Sequence, residues 1–291
     1  MTTPPPDANA TEDIAYAGNQ HHQRVLRAIV GIYAADARVR VISLFGSLAR
    51  GNWDDASDLD LDVVIADGVE IEPVAELTAL CAKLSALGER AAVLVRKGAD
   101  RGDVVLASLL EFSIRYHPLA TTSPNIVESL RLLWRRDEGA VTISDELLRA
   151  AGRANSEPSA TDVERALTLD TLVGECVRQV VGTQTALTRR RYWFAVEALH
   201  MLRSLLMEAF TLTHGGERDL HTYQALADPV LQAQLAQTLP IPTLDDFASV
   251  RQALLVALAV LERDLPAYTA NRRALTAGER EVVRQIRHRQ Q

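Results

Sequence analysis

The sequence is poor in cysteine, with only Cys81 and Cys176 among 291 residues. The two lie in separate apolar stretches and no C-x-x-C motif occurs, so neither a disulfide framework nor a cysteine-based zinc site is supported. Such low cysteine usage fits a reducing compartment, and we expect the protein to work in the cytoplasm.

Long apolar runs and a surplus of positive charge are also missing. No segment approaches the roughly 20 uninterrupted apolar residues of a membrane span, and the first residues lack the basic and apolar regions of a signal peptide. The formal net charge is −7, which argues against a broad nucleic-acid surface. We therefore expect neither a membrane nor a nucleic acid as partner, since a small or cationic molecule suits this charge better.

The chain does contain enough apolar residues, 47%, to form the cores of about two domains. Its first half alternates β-rich runs with helical periodicity. Strands are predicted at 39–45, 59–66, 91–95 and 109–116, with 103–108 as an extension, and helices at 12–35 and 72–87.

The second half loses the β signal. Helical periodicity takes over at 163–188, 192–212, 220–236 and 244–265. We therefore predict a two-domain α+β protein, in which a flexible tail over 1–12 precedes a mixed sheet with flanking helices over 13–145. A helical bundle over 150–291 follows and would form the substrate-binding domain.

The most informative stretch joins the first two predicted strands. Gly46-Ser47 ends the first strand, where a residue without Cβ lets backbone N–H groups and a hydroxyl approach a phosphate closely. Asp58 and Asp60 begin the second strand, where alternate residues share a face. Two carboxylates on one face repel each other unless a cation neutralises them, and Mg²⁺ suits such an oxygen-rich site. A strand edge protected by charge is the simpler reading, but it leaves the Gly-Ser turn unexplained.

The Gly46-Ser47 turn, separated by ten intervening residues from Asp58-x-Asp60, closely resembles the motif of the nucleotidyltransferase superfamily that includes DNA polymerase beta. Bacterial aminoglycoside and lincosamide nucleotidyltransferases look most similar. The resemblance implies that Asp58 and Asp60 bind Mg²⁺ and that Gly46 and Ser47 bind the triphosphate of ATP or another NTP. Arg50 and Ser57, which flank the motif, are added as candidate nucleotide contacts, although Arg50 could equally pair with Asp54 or Asp55.

The family usually has a third carboxylate on a neighbouring strand, but the strand at 91–95 contains no acid. Glu111 is our preferred candidate for this catalytic and metal-binding role, because period-two alternation places it on the polar face of its strand. Asp103 is the second candidate. Asp62 shares the face of Asp58 and Asp60, and we expect it to be a surface or supporting carboxylate rather than a metal ligand.

The acceptor hydroxyl needs a general base, and the amphipathic helices of the second half offer Glu175 and Glu197. Arg115 and His117 share the polar face of Glu111, and we expect surface cover there in preference to a triphosphate contact. The His21-His22 pair has no metal-binding spacing and supports no zinc site.

The expected reaction is Mg²⁺-dependent transfer of a nucleoside monophosphate, with AMP from ATP favoured, to a hydroxyl of a small acceptor. An aminoglycoside or lincosamide would make the protein an antibiotic-resistance enzyme. Two alternatives stay open. One is an antitoxin-like nucleotidyltransferase that adenylylates a protein acceptor, and the other is a catalytically inactive nucleotide-binding protein.

Overall fold

The computed structural model describes residues 16–122, 131–136, 168–214, 220–240 and 247–290. The predicted tail at 1–12 and the predicted boundary near residue 150 lie outside these ranges. Within them, no helix combines the length and the apolar character that a transmembrane span requires.

The first half alternates helices and strands, as the sequence predicts. The elements in chain order are α1 (Gln20–Ala34), β1 (Val39–Phe45), α2 (Gly46–Arg50), β2 (Leu59–Ile65), α3 (Pro73–Ala86), β3 (Ala91–Arg96), β4 (Arg101–Leu106), β5 (Glu111–Pro118), a 3₁₀ turn (Leu119–Thr121) and β6 (Arg131–Arg135). Three features differ from the prediction. The turn expected after β1 is a five-residue helix, α2. The segment at 103–108, expected to extend the strand at 109–116, belongs instead to a separate strand, β4. The edge strand β6 has no counterpart among the predicted elements.

The strands form one six-stranded mixed sheet in the order β3-β4-β5-β2-β1-β6. Strand β2 is antiparallel to β1 and parallel to β5, with Asp60 opposite Ser113 and Asp62 opposite Arg115. This register brings the polar residues of two neighbouring strands to one face. The central strands β1 and β2 owe their stability to their buried aliphatic side chains.

The second half is helical. It contains α4 (Leu169–Thr188), α5 (Tyr192–His214), α6 (Leu220–Leu226), α7 (Pro229–Ala236), α8 (Phe247–Ala259), a π-helical turn (Val260–Asp264), α9 (Leu265–Tyr268) and α10 (Ala277–Gln290). The helix predicted over 220–236 is interrupted, because Asp228 caps α7 and Pro229 begins it.

The chain divides into two compact units. The first contains α1 to α3, β1, β2, β5 and β6, together with β4 as far as Asp103. The second contains β3, the remainder of β4 and all the helices from α4 onward; its core joins apolar side chains of these helices to Val93, Val95 and Val105. The predicted α+β class with a helical C-terminal region is confirmed.

Candidate active site

The first half of the motif lies where β1 passes into α2. Gly46 has φ +70°, a left-handed conformation that strains any residue with a Cβ. A Cβ built on Gly46 would also overlap Oδ2 of Asp60. Glycine is therefore required here both by the backbone and by the neighbouring carboxylate.

The hydroxyl of Ser47 follows directly. Its Oγ is buried, and the described residues offer it no hydrogen-bond partner. A buried hydroxyl normally finds a partner, because leaving it unsatisfied costs about 1–3 kcal/mol. The Ser47 hydroxyl, next to Gly46 in the chain, therefore has a hydrogen-bond donor that a ligand oxygen could accept.

The second half of the motif is the pair Asp58 and Asp60. Asp58 is exposed immediately before β2, and Asp60 is half-buried within it. Burial, together with the negative charges of Asp58 and Asp103, raises the pKa of Asp60 to about 6 against the opposing guanidinium of Arg101. Two carboxylates add to a negative potential at Asp60, which is the electrostatic environment that a bound cation would relieve.

Asp103 is the third carboxylate near this pair. It lies on β4 with 1% of its surface exposed, and Ser113 Oγ donates a hydrogen bond to its Oδ1. Arg101 Nε lies 3.3 Å from the same oxygen, and Arg101 Nη2 donates to Ser113 Oγ over 2.8 Å. Because Ser113 is opposite Asp60 in the sheet, this network places Asp103 beside the motif. Glu111, by contrast, is the half-buried first residue of β5.

Asp62 takes the supporting role, which is one of the two expected of it, and not the surface role. It is 1% exposed, and Arg115 binds both of its oxygens over 2.8 and 2.9 Å while His117 Nε2 lies 2.8 Å from Oδ1. Burial raises the pKa of Asp62, but the hydrogen bonds from His117 and Arg115 outweigh it and hold that pKa below its usual value. The Arg115 guanidinium also stacks 3.9 Å from the ring centre of Phe45. Arg115 and His117 are therefore partners of a buried carboxylate, and the surface role predicted for them is wrong.

The remaining nucleotide candidates flank the loop between α2 and β2. Arg50 is exposed at the last position of α2. Ser57 is 2% exposed, and its Oγ accepts the Asp54 N–H over 2.9 Å while its own N–H donates to the Asp54 carbonyl. Ser57 therefore shapes the turn before Asp58.

The two general-base candidates lie in the helical unit in different environments. Glu175 on α4 is 7% exposed, and Arg178 Nε donates to its Oε2 over 2.9 Å. Glu197 on α5 is exposed. The carboxylate of Glu175 is therefore already engaged by a cation, whereas that of Glu197 faces solvent.

Sequence reasoning missed two residues beside the motif, Arg101 and His22. Arg101 follows a glycine-containing loop and carried no recognisable pattern. His22 Nε2 lies 2.8 Å from the carbonyl oxygen of Ser57. The position of His22 could have been recognised from Asn19 three residues earlier, because a capping box pairs the residue that caps a helix with the third helical residue.

The carboxylates fit a magnesium ion by the chemistry of the donor set. Asp58, Asp60 and Asp103 carry the hard oxygen ligands that Mg²⁺ prefers, and the negative charges of Asp58 and Asp103 add to the effect of burial in raising the pKa of Asp60. No three His, Cys, Asp or Glu side chains in the described ranges already converge as a closed ligand cluster.

Residues 26–117 match the family model of the nucleotidyltransferase domain. The match contains Gly46, Ser47, Asp58, Asp60 and Asp103, which are the residues gathered at the site. The chain therefore carries a nucleotidyltransferase domain. Its activity is nucleotidyl transfer, and the predicted family is confirmed.

Several solved structures resemble the whole chain at low identity. An aminoglycoside 6-adenyltransferase from Bacillus subtilis is 10% identical with a TM-score of 0.35, and the alignment covers 92% of this chain and 97% of that one. A cytoplasmic RNA terminal U-transferase is 14% identical with a TM-score of 0.24, and the alignment covers 85% of this chain and 68% of that one. A structure of the GLD-2/RNP-8 complex is 13% identical with a TM-score of 0.26, and the alignment covers 90% of this chain and 77% of that one. A search of curated proteins finds no match. None of these similarities identifies the acceptor.

Proposed function

We propose that the protein transfers AMP from ATP to a hydroxyl of a small acceptor, with Mg²⁺ held by Asp58 and Asp60 and with Asp103 as the third carboxylate. The observation that carries this proposal is the contact of Asp60 with the Gly46 turn, because it joins a carboxylate cluster to an unpartnered hydroxyl, Ser47 Oγ. A triphosphate needs both a cation and close donors, and this site offers places for both.

The chain's own residues have defined tasks in the transfer. The acceptor oxygen attacks the α-phosphorus, the bond to the β-phosphate oxygen breaks, and pyrophosphate leaves while a base takes the hydroxyl proton. Gly46 leaves room for the triphosphate, and Ser47 Oγ donates to one of its oxygens. Bound Mg²⁺ supplies neutralisation of the phosphate charge and of the leaving pyrophosphate.

Asp103 is preferred to Glu111 as the third carboxylate on two grounds. It acts electrostatically on Asp60, and its hydrogen bond from Ser113 fixes its side chain on the strand next to β5. Arg101 balances part of the negative charge as long as no metal is bound. The hydrogen bond from Ser113 and the positive charge of Arg101 therefore hold Asp103 in place, and the fold does not have to carry three uncompensated carboxylates.

For the general base we retain Glu197 and Glu175, in that order. Glu197 is exposed and available to an acceptor, whereas Glu175 would first have to release Arg178. For the acceptor we propose a cationic small molecule of the aminoglycoside or lincosamide class. The net charge of −7 supports a cationic acceptor, and the motif resemblance supports the class.

The experiment supplies each α-labelled NTP with Mg²⁺ and a panel of aminoglycosides, lincosamides and proteins, and follows the label into products by mass spectrometry. The proposal expects an acceptor that gains one AMP only when Mg²⁺ is present. Asp58→Asn should abolish transfer, whereas Asp67→Asn, a control beyond the other end of β2, should not. Label in a protein alone would favour the antitoxin-like alternative, and no transfer to any acceptor would favour the inactive nucleotide-binding protein.

A further inference from the structure

The segment that begins α1 folds back on itself around His22. Gly18 has φ +95°, and a Cβ there would overlap the His22 side chain. Asn19 caps the helix, because its Oδ1 accepts the N–H groups of His21 and His22 over 2.9 and 3.1 Å. The His22 ring, only 1% exposed, is therefore held in one position by the start of its own helix.

The partners of the ring define its tautomer. The backbone N–H of Asn19 lies 3.1 Å from Nδ1 of His22, and a backbone N–H can only donate. Nδ1 must therefore be the unprotonated nitrogen. The proton is on Nε2, which donates to the carbonyl oxygen of Ser57 over 2.8 Å.

The Ser57 carbonyl belongs to the peptide group that joins Ser57 to Asp58. A hydrogen bond to that oxygen fixes the orientation of the peptide plane, and the plane sets the direction in which the Asp58 side chain leaves the backbone. The N–H of Ser57 is held at the same time by the carbonyl of Asp54. The residue before Asp58 is thus anchored through both of its backbone polar groups.

Two further contacts bind the same loop to α1. Asn19 Nδ2 donates to Asp55 Oδ1 over 2.9 Å, and the Trp53 ring packs edge-on against His22 with the ring centres 6.1 Å apart. Three separate contacts therefore tie residues 19 and 22 to the loop at 53–57. Only the bond from His22 reaches the peptide next to a proposed metal ligand.

We propose that His22 is a positioning residue for Asp58, acting as a neutral Nε2–H donor that aims the carboxylate at the metal and the triphosphate. The metal part of this role rests on the function proposed above. The anchoring of the loop does not, which allows the two to fail separately.

Three variants test the role. His22→Met removes both hydrogen bonds at similar size. His22→Gln keeps them, because a Gln at the third helical position accepts the cap N–H through its oxygen and offers its amide N–H to Ser57. His21→Met is the matched control on the same helical turn, since His21 contacts Glu89 and not the loop.

We expect His22→Met to lower kcat by about 10- to 100-fold and to raise the Mg²⁺ concentration for half-maximal rate, with a KM for ATP changed by less than about threefold. His22→Gln should recover most of the loss, and His21→Met should match the wild type. Equal losses in Met and Gln variants would overturn the proposal, as would a kcat loss in His21→Met of the same size.

A measurement that does not depend on catalytic turnover tests the anchoring of the loop separately from the proposed function. In a background with Trp134→Phe and Trp193→Phe, Trp53 is the single tryptophan and reports on the loop. Both substitutions at position 22 remove the ring that packs against Trp53, so the loop is judged by comparing the two variants. Trp53 fluorescence should shift further from the wild type in His22→Met than in His22→Gln, and it should stay unchanged in His21→Met, even if the wild type proves inactive. Trp53 spectra that coincide in His22→Met and His22→Gln would show that the loop does not depend on the His22 hydrogen bonds and would reject the proposal on their own.

Discussion

Gly46 and Asp60 occupy adjoining space, so that the Oδ2 atom of Asp60 stands where a Cβ of residue 46 would have to be. The contact joins the end of β1 to the second residue of β2, and those two strands pair with Phe45 opposite Asp60. The Gly46 turn and the carboxylate pair are thus parts of one small site, although eleven residues lie between Gly46 and Asp58 in the sequence.

Alanine at position 46 should damage the site more than alanine at position 51. Both glycines have a left-handed φ, +70° and +77°, so both substitutions carry about 1–2 kcal/mol of backbone strain. Only Gly46→Ala also displaces the Asp60 carboxylate, since the space around Gly51 is open. We expect kcat/KM to fall on the order of 10²-fold for Gly46→Ala and only slightly for Gly51→Ala. Equal kinetic losses at matched thermal stability would contradict this.

The third carboxylate can be assigned by two isosteric substitutions. If Asp103 completes the site, Asp103→Asn removes several kcal/mol of charge stabilisation and lowers the rate by about 10²-fold or more, whereas Glu111→Gln stays within about threefold. Steady-state rates over a Mg²⁺ titration provide the measurement. The reverse order would restore Glu111, the candidate that the sequence favoured.

The raised pKa of Asp60 has a consequence for stability in the absence of metal. A carboxyl whose folded-state pKa is about 6 stabilises the fold fully below its unfolded value near 4, and this stabilisation is lost as the pH rises through 6. Asp60→Asn should therefore gain stability relative to the wild type, by about 1–3 kcal/mol, between pH 4 and pH 7.5. Urea unfolding in EDTA at the two pH values measures the difference. A difference that is the same at both would refute the raised pKa.

Asp62 should matter for stability and not for metal binding. Asp62→Ala leaves Arg115 and His117 without their buried acceptor, and we expect a loss of about 2–3 kcal/mol in the free energy of unfolding. Glu281→Ala, which removes one partner of an exposed ion pair with Arg284, serves as control and should barely move the denaturant midpoint. A similar midpoint for both variants would show that the Asp62 cluster contributes little.

Much of the fold was predictable because its elements are locally encoded. The apolar pattern of β1 and β2 placed both strands correctly to within a residue, and the periodicity of α3 and α5 placed those helices to within two residues. The edge strand β6 escaped prediction because Leu133 is its only residue of the buried class and its stability comes from pairing with β1. Pairing partners are not visible in a local pattern.

The candidate site divides in the same way. Gly46, Ser47, Asp58 and Asp60 form a motif contiguous enough to recognise, and the structure brings Gly46 and Asp60 into contact. Asp103 could not be ranked above Glu111, because only the sheet order decides which carboxylate reaches Asp60. The role of Asp62 stayed open between surface and support for a related reason. Alternation places it on the polar face, but the cations that allow it to be buried come from β5.

We expect Asp58 and Asp60, together with the Gly46 turn, to form a metal-dependent triphosphate site. Calorimetric titration of the protein with a non-hydrolysable ATP analogue, once with Mg²⁺ and once with EDTA, provides the test. Binding should weaken by about 10-fold or more when Mg²⁺ is removed, and an Asp60→Asn variant should stay folded but no longer respond to Mg²⁺. Nucleotide affinity that is equal with Mg²⁺ and EDTA, or a Mg²⁺ response that survives in Asp60→Asn, would contradict it.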